Sequence, residues 1–110
     1  KIISQDLTEK FLVSQGNVIC LEVGEHIPIE YQDVFIDNIC DACDDKMILS
    51  WAIRGQLGCG HVNCLNCDEV IPLFEKRKFQ LLEVATKDAK NAIGKECSWF
   101  KNTLYIFKKN

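Results

Sequence analysis

The stretch Asn17-Val-Ile-Cys-Leu-Glu-Val-Gly-Glu-His-Ile-Pro28 decides how this sequence is read. Its first seven residues are an apolar run rich in β-branched and aliphatic side chains, which predicts a buried strand over residues 17–23. Gly24 ends the run. Around that point stand two carboxylates, Glu22 and Glu25, and an imidazole, His26. Their spacing is i, i+3 and i+4, so one helical turn or a tight bend can aim all three at one point. Ligands of open α/β sheets bind beyond the carboxyl ends of the strands, which makes this trio a candidate site. Oxygen and imidazole donors together suit a divalent cation such as magnesium, manganese or zinc. The same groups suit general acid–base work, with His26 as the proton acceptor. The competing reading is a solvated turn with ordinary surface charges.

Working outward, residues 29–43 carry a helical stripe of Ile29, Val34, Phe35, Ile39 and Ala42, with Pro28 just ahead of the first turn. Asp44-Asp45 interrupt the pattern, and residues 47–53 read as a second buried strand. Gly55, Gly58 and Gly60 make residues 54–66 a tightly turned loop. A helix is expected over residues 67–77, with Asn66 as N-cap and Glu69 at the reciprocal position, although Pro72 inside it is a misfit. Residues 79–85 predict a third strand, 86–93 a short helix and 103–107 a last strand. Strands alternating with helices imply an α/β sheet with parallel crossovers, and the last two strands can pair antiparallel. No repeat or linker divides the chain, so residues 1–110 are expected to be a single unit.

Composition narrows the function. The 110 residues carry a net charge of -3, with 47% apolar, 26% charged and 9% aromatic content, which excludes disorder. The uncharged stretch in the strongly apolar part of the chain, residues 47–53, is too short to span a membrane. No basic segment followed by an apolar core marks a secretory signal, so a cytoplasmic location is expected. With its acidic balance the chain lacks the basic footprint of a nucleic-acid module, so a nucleic-acid partner is not indicated, although a local basic patch stays open. Seven cysteines are an odd number, and without a signal a closed disulfide framework is a poor guess. Cys20 and Cys97 read as small buried hydrophobes.

The pairs Cys40-x-x-Cys43 and Cys64-x-x-Cys67, twenty residues apart, raise a four-cysteine zinc-binding interaction module as the rival, with Cys59 and His61 as spare ligands. Geometry opposes it. A helix starting near Pro28 carries Cys40 and Cys43 roughly 20 Å from the ligand edge at 1.5 Å per residue, while the loop bearing Cys64 returns to that edge. His61, in Gly58-Cys59-Gly60-His61-Val62-Asn63, follows the second strand and is expected to approach His26, because loops after adjacent parallel strands emerge together.

Asp6-Leu7, the strand ending Leu-Glu-Val-Gly-Glu-His-Ile-Pro, the strand Ile48-Leu49-Ser50-Trp51 and the Gly-His-Val-Asn loop resemble the carboxyl-terminal half of a class I S-adenosylmethionine-dependent methyltransferase. Phe74-Glu75-Lys76-Arg77 and the closing Trp99-Phe100-Lys101-Asn102-Thr103-Leu104 extend the likeness over nearly the whole chain, most specifically at residues 19–28. The resemblance implies a partial Rossmann-like sheet, holding the later strands only, mostly parallel with an antiparallel final strand. It places Asp6 and Leu7 beside the cofactor adenine, Leu21 and Glu22 at the methyl-donor pocket, and Glu22, Glu25, His26 and His61 at the catalytic edge. Some relatives, the ubiquinone-biosynthesis O-methyltransferases and the small-RNA 2′-O-methyltransferases, use a similar pattern to hold a divalent metal. Glu22, Glu25, His26 and His61 would then be ligands of magnesium or zinc that orient an acceptor hydroxyl and lower its pKa.

The departures are informative. The glycine-rich cofactor loop and the acid for the ribose hydroxyls, both expected upstream, are absent, and Lys78 stands where relatives often carry a glycine helix stop. The chain opens on Lys1 and has its only methionine at position 47, so a processed, excised or truncated piece is expected. Half a cofactor site would not catalyse methyl transfer alone. The expected partners are a methyl acceptor and a chain supplying the missing half; the other alternative is a degenerate, non-catalytic methyltransferase-like subunit.

Overall fold

The structure, a computed structural model, describes residues 2–11, 13 and 16–110; Lys1 lies outside them. Its strands are β1 (Gly16–Cys20), β2 (Cys43–Ser50), β3 (Phe79–Leu81) and β4 (Leu104–Lys109), in one sheet of order β1-β2-β4-β3. β1 pairs parallel with β2, whereas β4 runs antiparallel to both β2 and β3. The first three strands therefore point one way and the last points the other. Because β4 inserts between β2 and β3, only one of the three pairings is parallel, which corrects the mostly parallel expectation.

The period-2 alternation of the strands sets the layers. Val18, Cys20, Met47, Leu49, Tyr105 and Phe107 share one face and line up across the sheet in register. Helix α1 (Gln32–Ala42) brings Phe35, Ile36, Ile39 and Cys40 to this face, and α2 (Cys67–Glu75) brings Val70 and Phe74. Phe74 stacks on Phe107 with ring centroids 4.9 Å apart. Arg77 ties the two helices, its guanidinium reaching Asp37 at 2.7 Å and Asp33 at 3.1 Å. The opposite face carries the row Ile19, Ile48 and Ile106, and Ile19, on the edge strand, is 71% exposed.

Element boundaries differ from the sequence reading, and the larger shifts have a physical reason. β2 begins at Cys43 and runs through Asp44 and Asp45, because Asp45 is ion-paired with Lys46 and with Lys108 of β4. The third strand stops at Leu81 and helix α3 (Glu83–Asn91) begins two residues later. Thr86, expected at the helix start, sits buried inside it and accepts the Ile106 N–H at 3.0 Å. Helix α2 continues through Pro72, which is exposed, so the Asp68 carbonyl that loses its donor can turn to water.

The start of α2 follows the sequence signal. Asn66 is the N-cap, and Glu69 reaches back to accept its N–H at 3.1 Å. The Arg54 guanidinium beside Glu69 holds that carboxyl down to about 2. A depressed carboxyl adds stability above its ordinary pKa of 4.5 that is lost as pH falls through about 2. Acid titration of unfolding is expected to show that loss in the native chain and not in Glu69→Gln.

The end of α2 holds a strained residue. Lys78 has φ +70°, the left-handed conformation that follows many helices and that glycine adopts without penalty. Lys78→Gly is expected to raise stability by about 1 kcal/mol, read as a higher urea midpoint at unchanged slope.

Candidate functional site

The site is assembled just beyond the carboxyl ends of β1 and β2. After β1, Glu22 adopts φ +58° and its N–H donates to Ser50 Oγ at 2.7 Å, which turns the chain back over the end of β2. A 3-10 turn, Gly24–His26, follows, closed by His26 N–H to the Val23 carbonyl at 2.9 Å. This turn rests on Trp51, which is fully buried and meets the edge of Phe35 at 5.9 Å between centroids. Gly24 lies flat on the indole: a Cβ there would stand 2.5–2.7 Å from three ring atoms. Gly24→Ala is therefore expected to cost about 1–3 kcal/mol of stability through overpacking, measured by urea unfolding.

Trp51 also fixes the loop that brings the second histidine. Its Nε1–H donates to the Asn63 carbonyl at 2.8 Å, and Asn63 Nδ2 donates to Gln32 Oε1 at 2.7 Å. The Glu25 carbonyl accepts from both Val62 N–H and Asn63 N–H, at 2.9 and 3.0 Å. The loop is thus bolted to the turn by its backbone, and the imidazoles of His26 and His61 meet edge to face with centroids 5.0 Å apart.

Both rings have their tautomer set. His26 Nδ1 lies 2.9 Å from the Gly60 carbonyl and His61 Nδ1 lies 3.0 Å from the Gln56 carbonyl. A carbonyl oxygen only accepts, so each Nδ1 carries a proton, and in the neutral ring the lone pair is then on Nε2. Glu25 is only 2% exposed, and its Oε2 has no hydrogen-bond partner among the described residues. One carboxylate oxygen and one nitrogen from each ring lie within 4.8 Å of one another. Beside them, Cys64 Sγ stands 3.7 Å from His61 Nδ1, half-buried. Burial, with the Glu25 charge second, pushes that thiol up.

The structure therefore brings Glu25, His26 and His61 together and leaves Glu22 out. Glu22 is exposed and outside the ligand set, because its left-handed backbone commits it to the turn. The trio expected from spacing becomes a different trio, with His61 in the place of Glu22. Of the residues assigned to the cofactor, Asp6 is exposed in a turn in which its Oδ1 accepts from Thr8 N–H at 2.9 Å and Thr8 Oγ at 2.7 Å. Those two bonds hold the carboxyl below its ordinary value. Leu7 packs against the core and Leu21, just past β1, is exposed. Buried Asn38 on α1 holds this segment, donating to the Leu7 and Glu9 carbonyls at 3.2 and 2.8 Å and accepting from Phe11 N–H at 3.4 Å.

The four-cysteine pattern does not assemble. Cys43 opens β2 while Cys64 and Cys67 follow its far end, and eight strand residues at about 3.3 Å each separate them. Among the described residues, Glu25, His26 and His61 are the one group of three or more such side chains within ligand distance. Cys20 is buried as expected, but Cys97 is exposed, because residues 95–97 form a surface 3-10 turn. Trp51, Gly24, Asn63 and Asn38 escaped sequence reading. Their roles come from contacts between segments far apart in the chain, and the only local hint was a glycine immediately before the Glu-His pair.

No protein-family profile and no curated protein sequence matches the chain. Solved structures do. The fold superposes on magnesium protoporphyrin IX methyltransferase from Synechocystis PCC 6803 with bound SAM at a TM-score of 0.66 and 19% identity, covering 98% of this chain and 45% of that one. The same enzyme with bound SAH gives a TM-score of 0.67 at 18% identity, covering 98% and 50%. The chain thus has the fold of a methyltransferase portion and spans about half the length of these neighbours. Among the described residues no helix is long and apolar enough to cross a membrane.

Proposed function

We propose that the complete protein transfers a methyl group from S-adenosylmethionine to an acceptor bound at the edge where Glu25, His26 and His61 meet. One observation carries this reading: 98% of the chain superposes on an enzyme structure with bound SAM, and in this chain the acid–imidazole cluster lies beyond the carboxyl ends of β1 and β2. Asp6 is the adenine acceptor and Leu7 and Leu21 are apolar walls of the cofactor pocket. Glu25 and His26 orient the acceptor and take its proton, directly or through a bound cation. Glu22 borders the methyl-donor side from its turn.

The chain supplies part of the cofactor pocket, and the remaining strands and the glycine-rich loop come from the rest of the domain or from a separate chain. Two features support this division. β1 is an edge strand with an open backbone side, and Ile19 lies on a sheet face that leaves it largely exposed. Calorimetry tests the proposal. The 110 residues alone are expected to give no heat with S-adenosylmethionine, whereas a chain that includes the other half binds it. A longer chain that still fails to bind overturns the reading in favour of a non-catalytic scaffold.

A further inference from the structure

We propose that a lysine-lined cleft at the carboxyl edge of the sheet holds an oxyanion, a phosphate or carboxylate group, of the methyl acceptor. The acceptor role rests on the methyl-transfer reading; the oxyanion site rests on the cleft alone.

The connection between β3 and β4 builds the cleft. β3 ends at Leu81 and β4 begins at Leu104. Because β4 runs antiparallel to β2 and β3, its start lies at the edge where β1, β2 and β3 finish. Helix α3 and the short helix α4 (Phe100–Thr103) occupy the connection, so they leave and rejoin the sheet on the edge that carries Glu25, His26 and His61. One contact ties the two places together. The Thr103 carbonyl accepts the Trp51 N–H at 3.0 Å, and Trp51 is the residue on which the Gly24 turn rests. β3 stands two positions from β2 in the sheet, about 10 Å away.

The cleft has a volume of about 450 Å³. Glu83, Lys87, Lys90 and Asn91 line it from one face of α3, Leu81 from the end of β3 and Lys101 from α4. Three ammonium groups thus share a small space with one carboxylate. Among the described residues none of the three lysines is ion-paired, whereas Lys10, Lys46, Lys76 and Lys108 each stand against an aspartate. Carboxylates are not scarce in a chain with 16 acids and 13 cations, so the missing counter-charge is a property of this place. Neutral neighbours position two of the amines instead. Lys101 Nζ donates to the Lys90 carbonyl at 3.4 Å, and Lys90 Nζ lies 5.8 Å from the centre of the Tyr105 ring. An ammonium has three N–H donors, so Lys101 keeps two for a ligand, and the Asn91 amide adds a neutral donor. An oxyanion takes such charge-assisted bonds and supplies the missing charge.

The surroundings select a small ligand. Glu75 and Asp88, with Glu83, line the neighbouring groove beside β3. The phosphate backbone of a nucleic acid needs an extended basic stripe and would run into those acids, whereas one phosphate or carboxylate fits between the lysines. The acceptor is therefore a small molecule whose oxyanion lies about 10 Å from the atom that receives the methyl group.

The test follows amide chemical shifts of a chain that includes the other half, in the presence of S-adenosylmethionine, during titration with inorganic phosphate or succinate at constant ionic strength. Saturable shifts confined to α3, α4 and the end of β3 are expected. Saturation by phosphate alone marks a phosphorylated acceptor, by succinate alone a carboxylic one, and by both a site that reads charge. Lys87→Gln, Lys90→Gln and Lys101→Gln should each weaken binding about 3- to 10-fold, and the triple variant should abolish it. Lys95→Gln, on the surface turn outside the cleft, should change nothing. Circular dichroism shows that each variant is folded, and S-adenosylmethionine affinity should stay unchanged in all of them. No saturable shift, shifts spread over the surface, or binding that survives the triple variant overturns the cleft. A longer chain that binds the oxyanion but not S-adenosylmethionine overturns the methyl-transfer reading, and the acceptor role with it.

Discussion

Trp51→Ala is expected to lower stability by about 3–5 kcal/mol, a large share of the roughly 5–15 kcal/mol available to a chain of this size. Trp51 is fully buried where the core meets the site. Its removal leaves a cavity between Phe35 and the turn that Gly24 presses onto the indole. It also frees the Asn63 carbonyl, which takes the indole N–H at 2.8 Å. Urea unfolding measures the loss, and Trp51→Phe separates its two parts. Phenylalanine restores most of the packing but leaves that carbonyl without its donor, so a residual cost of about 1–3 kcal/mol is expected. If Trp51→Phe is neutral, packing alone holds the loop and the hydrogen bond contributes nothing.

On the methyl-transfer proposal, His26→Ala in a chain that includes the other half is expected to lower turnover by about 10²- to 10⁴-fold while S-adenosylmethionine affinity stays within about twofold. The reason is position. His26 is exposed at the edge proposed for the acceptor, with its Nδ1 hydrogen-bonded to the Gly60 carbonyl and its Nε2 left outside that bond. The residues assigned to the adenine lie elsewhere, on the segment that Asn38 holds against α1. Turnover and calorimetric affinity falling together, or neither falling, would remove His26 from the chemistry. His26→Ala leaves the Trp51–Asn63 bond and the backbone bonds from Glu25 intact, so a stability loss beyond about 1 kcal/mol would point instead to a structural role.

Much of this architecture was legible in local patterns. The apolar run before Gly24, the stripe now seen as α1 and the Asn66–Glu69 signal each reflect short-range constraints of spacing and capping. The approach of His61 to His26 followed from one topological fact, that loops after adjacent parallel strands emerge at the same edge. Local reasoning failed where a tertiary partner changed the balance. Asp44 and Asp45 read as a break until Lys108 from β4 pairs with Asp45, and the third strand read too long because Thr86 trades a strand position for a hydrogen bond to β4. Spacing placed Glu22 in the site, but only the left-handed turn at that residue, required to bring the chain over Ser50, removes it.

Sequence alone determined the alternation of strands and helices, the edge at which the acids and histidines gather and the absence of a long apolar helix, because each depends on residues close together in the chain. Tertiary structure decided which donors meet. Glu25 joins the two histidines because its own carbonyl binds the loop that carries one of them, and the loop holds its course because Trp51 grips it from the core. Those contacts join residues 12 to 38 positions apart, and no periodicity or spacing rule reaches that far.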